Sequence, residues 1–219
     1  AARRAIGCHL ERAWPRLACL SMARPKSASH DLKSDAILDL AARCFAQHSY
    51  HAASMNDIAE AGGTSKARLY HYYESKEAIL FDLLDRYTQR LLSIVGETEA
   101  AAQRQQLDER ATLHELIRRF LAEYQTSATR HAALLHDVPF LGPEQRAIIV
   151  ARQRDIVSAF TRFLTRAYPE RLKKNNATAV TMMVLGMINW TFTWLRPDGP
   201  MSYASFAQEV VAMLEKGMG

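Results

Sequence analysis

The sequence predicts an all-α protein of about nine helices, and three observations carry that prediction. Apolar residues recur at i, i+3, i+4 and i+7 spacing from Ile37 almost to the C-terminus. No run alternates apolar and polar residues over a useful strand length, and no internal repeat is present. Only nine glycines and seven prolines occur in 219 residues, whereas Ala, Leu, Arg and Glu, all good helix formers, are abundant. At 48% hydrophobic and 23% charged, the chain can bury a sizeable core.

The elements follow in order. Ile37, Leu38, Ala41, Ala42 and Phe45 share one face of a first helix, which is expected to stop near 47–50. Ser54-Met-Asn-Asp57 reads as a capping box with Asp in the place of the usual Glu or Gln, opening a short helix with Ile58 and Ala59 inward. Gly62-Gly63 ends it, because glycine accepts the left-handed conformation. Thr64 or Ser65 caps a third short helix with Leu69 inward. Ser75 caps a long fourth helix, with Glu77 where a carboxylate suits the macrodipole, and apolar residues carry it to about Val95. Beyond it, helices are expected around 113–124, within 131–140, from Pro143 to about Tyr168, over 176–195, and over 203–217. Pro143 suits a first helical turn, and Pro197-Asp-Gly-Pro200 stops the penultimate helix.

The net charge is +5, but little of it belongs to the body of the chain. Residues 1–21 hold four arginines against one glutamate; 22–76 hold seven Lys/Arg against six Asp/Glu; 77–219 hold 17 against 16. Nucleic-acid binding therefore has to rest on where a few cations are placed. Residues 1–27 are expected to be a disordered leader without a role; its Arg-rich first part, 1–21, reads either as a transit peptide or as sequence upstream of a natural start at Met22. Cys8, Cys19 and Cys44 are odd in number and lack Cys-x-x-Cys spacing, which suggests neither a disulfide framework nor a zinc cluster and fits a reducing, cytoplasmic setting.

The stretch GGTSKARLYHYYESKE (62–77) is a poor core and a good surface for DNA. Three short helices before a long one, the second and third joined by a Gly-Gly-Thr turn, form a helix-turn-helix. Lys66 and Arg68 occupy the half of the third helix that reaches base edges, and Arg can donate twice to guanine. Ser65, Tyr70, Tyr72 and Lys76 are types that bind phosphate oxygens, while Leu69 and Tyr73 share the inward face.

SMNDIAEAGGTSKARLYHYYESKEAIL resembles the signature of the tetracycline-repressor (TetR) family of bacterial regulators. Asp57, Ile58, Ala59, Gly63, Ser65, Lys66, Leu69, Tyr70, Ser75, Lys76 and Glu77 match it in place. The resemblance implies DNA-facing roles for Ser54, Ser65, Lys66, Ala67, Arg68, Tyr70, His71, Tyr72 and Lys76. This chain departs from the pattern at Gly62, Thr64, Arg68 and Tyr73, where the family has alanine, a β-branched apolar residue, a small residue and phenylalanine. The expected organisation is a DNA-binding domain over 28–76 and a ligand-binding and dimerisation domain over 77–219.

Family members bind a small molecule among their C-terminal helices and dimerise through the last two. That implies a homodimer through about 176–195 and 203–217, a double-stranded DNA operator as partner, and repression relieved by an effector. Candidate lining residues are Phe120, Tyr124, Met183, Met187, Asn189, Trp190 and Trp194, with Asn189 as the polar group that orients a ligand. The segment 186–202, GMINWTFTWLRPDGPMS, further resembles members that respond to acyl-CoA or aryl-CoA thioesters. A competing reading of the uncharged run 175–195 is a membrane anchor, but its seven Asn and Thr residues favour a buried helix. A helical carrier or enzyme is the other alternative. It finds no catalytic motif, and His131, His136 and Asp137 have the wrong helical spacing for a metal site, so neither catalytic residue, metal nor cofactor is expected.

Overall fold

The structure is a computed structural model that describes residues 28–218; the leader 1–27 lies outside the described residues. Those residues form ten α-helical segments and one 3-10 turn, without a strand among them. Nine of the helices exceed one turn, in keeping with the expected all-α class.

Helix α1 (Ala28–Ala52) breaks at Ser49, whose φ of 65° and ψ of 158° lie where few residues but glycine are comfortable. That break falls within the stop expected at 47–50. Helices α2 (Met55–Ala61) and α3 (Lys66–Tyr72) follow. The capping box at Ser54 is formed from both sides: the Asp57 amide donates to the Ser54 hydroxyl, and the Ser54 amide donates to Asp57 Oδ2 at 2.8 Å. Between α2 and α3, Gly63 adopts φ of 57°, and a Cβ on Gly62 would stand 2.9 Å from Leu40 Cδ1. Glycine at 62 thus lets α2 close down on α1.

Helix α4 (Lys76–Gln105), about 45 Å long, is the spine. It runs ten residues beyond the expected end. Gly96 costs only about 1 kcal/mol in a helix; the residues after it are good helix formers, and Thr98, Ala101 and Ala102 are buried. Helices α5 (Glu109–Thr126) and α7 (Pro143–Ala167) flank α4, and α6 (Ala128–His136) crosses from α4 to α1. The 3-10 turn Val138–Phe140 links α6 to α7, and α10 (Tyr203–Met218) packs along α5.

The run expected as one helix over 176–195 is two, α8 (Ala177–Asn189) and the single turn α9 (Thr191–Trp194). The break has a local cause. The Thr191 and Thr193 hydroxyls donate to the Ile188 and Trp190 carbonyls, drawing the chain into tighter turns. Among the described residues no helix is long and apolar enough to cross a membrane.

Candidate functional site: a recognition helix and a chamber among the helices

Helix α3 is held by its inward side alone. Ser65 caps it by accepting from the Arg68 amide, and Leu69 is buried against α1 and α2. Lys66, Ala67, Arg68, Tyr70 and His71 are exposed, as is Ser54 at the start of α2. Neither Lys66 nor Arg68 has an acidic partner among the described residues; Lys66 Nζ lies 5.9 Å from the Tyr70 ring centre. This face therefore presents cations that the fold does not neutralise.

Two expected DNA contacts are placed differently. Lys76 Nζ donates to the carbonyls of Tyr50 (2.5 Å), Ala53 (2.7 Å) and His51 (3.4 Å), and sits 4.3 Å over the Tyr50 ring. Its three protons are used on carbonyls freed by the break at Ser49, so it closes the end of α1 rather than reaching for a phosphate. Tyr72 is half-buried against the core and lines one groove with Ile37 and Leu40. The Ser54 hydroxyl is engaged by Asp57.

Tyr73, a departure from the resembled pattern, closes a polar ring at the junction of α1, α3 and α4. Its hydroxyl donates to Asp82 Oδ2 at 2.6 Å and accepts from Ser34 at 2.5 Å. Arg86 donates to Ser34, Asp35 and Asp82. Burial and the Asp82 carboxylate push the phenol well above its usual range, so it remains a donor.

Farther along α4, a chamber of about 540 Å³ opens among α4, α5, α6, α7 and α8. Three of the expected lining residues reach it: Tyr124, Asn189 and Trp190. Phe120 does not, being fully buried and edge-on to Phe160 at 4.8 Å. Met187 packs half-buried against the core outside the chamber lining. Met183 is 69% exposed, and Trp194, 51% exposed, stands edge-on to Phe206. The bend at Trp190 explains the scatter, since a straight helix would have brought Trp194 round to the same side as Trp190 and Asn189.

The chamber's main polar feature is His131, which its sequence neighbours suggested only as a poor metal ligand. It is buried, and its ring stacks on Tyr124 with centres 3.8 Å apart. Nε2 lies 3.1 Å from the Asn189 carbonyl, which can only accept, so the proton is assigned to Nε2. Nδ1 then accepts from the Tyr87 hydroxyl at 3.2 Å. The bend in α8 is what frees that carbonyl: the Thr193 amide bonds to Trp190 instead of Asn189. Burial lowers the His131 pKa to about 4, and it is neutral at pH 7. Tyr124 donates to Asn189 Oδ1 at 3.0 Å. Leu91, Leu134, Ile156 and Leu185 supply apolar walls, and Met182 and Gly186 complete the α8 side.

Residues 37–83 match the family described as bacterial regulatory proteins, tetR family, and residues 106–218 match the tetracyclin repressor-like C-terminal domain. The crystal structure of a TetR-family transcriptional regulator from Bordetella parapertussis 12822 is 33% identical over 83% of this chain and 93% of that one, with a TM-score of 0.78. AibR, solved in complex with isovaleryl coenzyme A and operator DNA, is 26% identical over 83% of this chain and 97% of its own, with a TM-score of 0.70. The HTH-type transcriptional repressor KstR2 of Rhodococcus jostii (strain RHA1) is 33% identical over 98 residues, a match that spans 45% of this chain and 45% of that relative. A helix-turn-helix with exposed cations, on an all-helical body, is the architecture of a DNA-binding transcriptional regulator, the class of these relatives. The chain belongs to the TetR family.

Proposed function

We propose that the protein is a cytoplasmic, homodimeric repressor that leaves a near-palindromic operator when a small molecule fills the chamber. Residues 28–76 form the DNA-binding domain and 77–219 the effector and dimerisation domain. The exposed face of α3 carries this reading: Lys66 and Arg68 are exposed, without acidic partners among the described residues, and are flanked by Ser65, Tyr70 and His71. Seven residues of helix offer few base contacts, so two copies about one DNA turn apart are needed for a specific site. Met183, Trp194 and Met213 are large and half or more exposed on α8, α9 and α10, which supports pairing of those helices with a second copy. The effector proposed is an acyl-CoA or aryl-CoA thioester, supported by the likeness to AibR and by the 186–202 segment. An effector that prefers a second arrangement of the helices weakens DNA binding by linkage.

Footprinting the purified protein on DNA upstream of its own and neighbouring genes tests this. Two protected half-sites about one turn apart are expected, with affinity falling steeply between about 50 and 200 mM salt. Binding to that DNA no tighter than to a scrambled duplex would overturn the reading.

A further inference from the structure

We infer that the chamber takes the uncharged, largely apolar part of its ligand, bearing a hydrogen-bond acceptor, and rejects the corresponding free carboxylic acid. This deepens the effector reading and rests on it only for what ligand binding does to DNA. None of the side chains lining the chamber is Asp, Glu, Lys or Arg. A carboxylate moved against those walls loses part of its hydration and meets no lysine or arginine. His131 cannot serve as a cation there, and His136, the other lining histidine, is exposed to solvent. The His131 Nε2 proton is given to the Asn189 carbonyl and its Nδ1 accepts from Tyr87. The chamber does hold spare donors, the amide of Asn189 and the indole N–H of Trp190 among them. Tyr124 occupies Asn189 Oδ1, which leaves the Asn189 amide nitrogen without a partner among the described residues. An ester, thioester or ketone oxygen satisfies it, while Leu91, Leu134, Ile156 and Leu185 surround hydrocarbon. An acid therefore enters once esterified, and a thioester is recognised by its carbonyl and apolar group.

The test uses two dyes with the same ring systems. N-phenyl-1-naphthylamine is neutral, and 8-anilinonaphthalene-1-sulfonate adds one negative charge. Both are titrated into the full chain at about pH 8, where histidines are neutral. The neutral dye is expected to bind about tenfold tighter or better. Methyl benzoate and benzoyl-CoA should displace it, and benzoate and free coenzyme A should not, which separates a simple ester, a thioester and the carrier alone. No binding of the neutral dye, or sulfonate or benzoate binding within about threefold of the neutral partner, would overturn the inference.

Location is tested with Gly186→Phe. A Cβ at Gly186 meets no atom within 4 Å, so the ring enters open space without forcing the helix. Dye affinity should fall by about tenfold or more, through loss of apolar contact, at an unchanged melting midpoint. Energy transfer to the dye, read as the part lost when Trp190→Phe is made in a Trp194→Phe background, gives the same answer without relying on the Gly186→Phe variant's folding. Undiminished binding in Gly186→Phe, or no transfer from Trp190, would place the dye elsewhere and overturn the assignment. Failure of the regulator reading would show in duplex binding and leave these titrations untouched.

Discussion

Arg130 Nη2 lies 2.6 Å from Asp39 Oδ1, and the next residue along, His131, forms the wall of the chamber. Successive residues on a helix point about 100° apart, so α6 grips α1 with one side chain and the chamber with its neighbour. Phe140, just beyond α6, reinforces the grip by stacking on Tyr50 at 5.0 Å. The pair is half exposed on the Asp39 side, so its stability contribution is small, about 0.2–1 kcal/mol. Its expected role is transmission. Arg130→Gln should leave operator binding within about threefold of wild type while raising the effector concentration for half-release by about fivefold or more, a coupling loss near 1 kcal/mol. Duplex binding measured with and without effector decides the matter, and an unchanged release curve would sink this role for Arg130.

Lys66 and Arg68 sit two residues apart on α3 but are expected to fail differently. Arg68→Ala should cost about 1–3 kcal/mol on the cognate site and flatten discrimination at one base position. Removing a phosphate contact instead weakens all sequences alike and reduces the salt slope by about one. Competition of variant and wild type for a duplex library reads the first effect. If Arg68→Ala keeps the wild-type order of preference, Arg68 does not read a base.

Tyr73 explains one departure from the family pattern. Its hydroxyl joins Ser34 on α1 to Asp82 on α4, inside a ring that Arg86 completes. Tyr73→Phe restores the usual family residue, yet it should destabilise this chain by about 1–2 kcal/mol, because Asp82 and Ser34 each lose a buried partner. Arg86 still bonds both, which keeps the loss from being larger. Urea denaturation of the two proteins measures it. A Phe variant as stable as wild type would mean the ring contributes nothing net.

Most of the helical frame was legible because capping and periodicity are local. Ser54 with Asp57, Ser65, Ser75 and Gly62-Gly63 each announce a boundary within four residues of chain, and the structure forms every one. What was not legible depends on distant partners. The Lys76 ammonium finds carbonyls more than 20 residues away, and nothing near Lys76 in the chain foretells that. The bend at Trp190 turns on two threonine hydroxyls competing with the backbone, a contest that apolar periodicity does not register. That bend moved Trp194 out of the chamber and freed the Asn189 carbonyl for His131, whose environment comes from four helices at once.

His131 provides the last prediction, through pH. Its pKa falls from the ordinary 6.5 to about 4 because burial disfavours the imidazolium. Between those values the unfolded chain binds a proton that the folded chain does not, so folding releases a proton and stability rises with pH. The contribution is complete above about pH 6.5. It is lost as pH falls through the window toward 4, by roughly 2–3 kcal/mol at pH 4.5, and this group adds no further slope below 4. His131→Gln cannot be protonated there, so its stability should fall less over the same interval, even though losing the bonds to Tyr87 and Asn189 lowers it by about 1–3 kcal/mol at pH 7. Carboxylates titrate in both proteins and cancel in the comparison. Denaturation of the two at pH 7 and 4.5 supplies the four numbers needed. Equal losses in wild type and variant would show that His131 is not held neutral by its place between Tyr124 and Asn189, and the uncharged chamber would lose one of its supports.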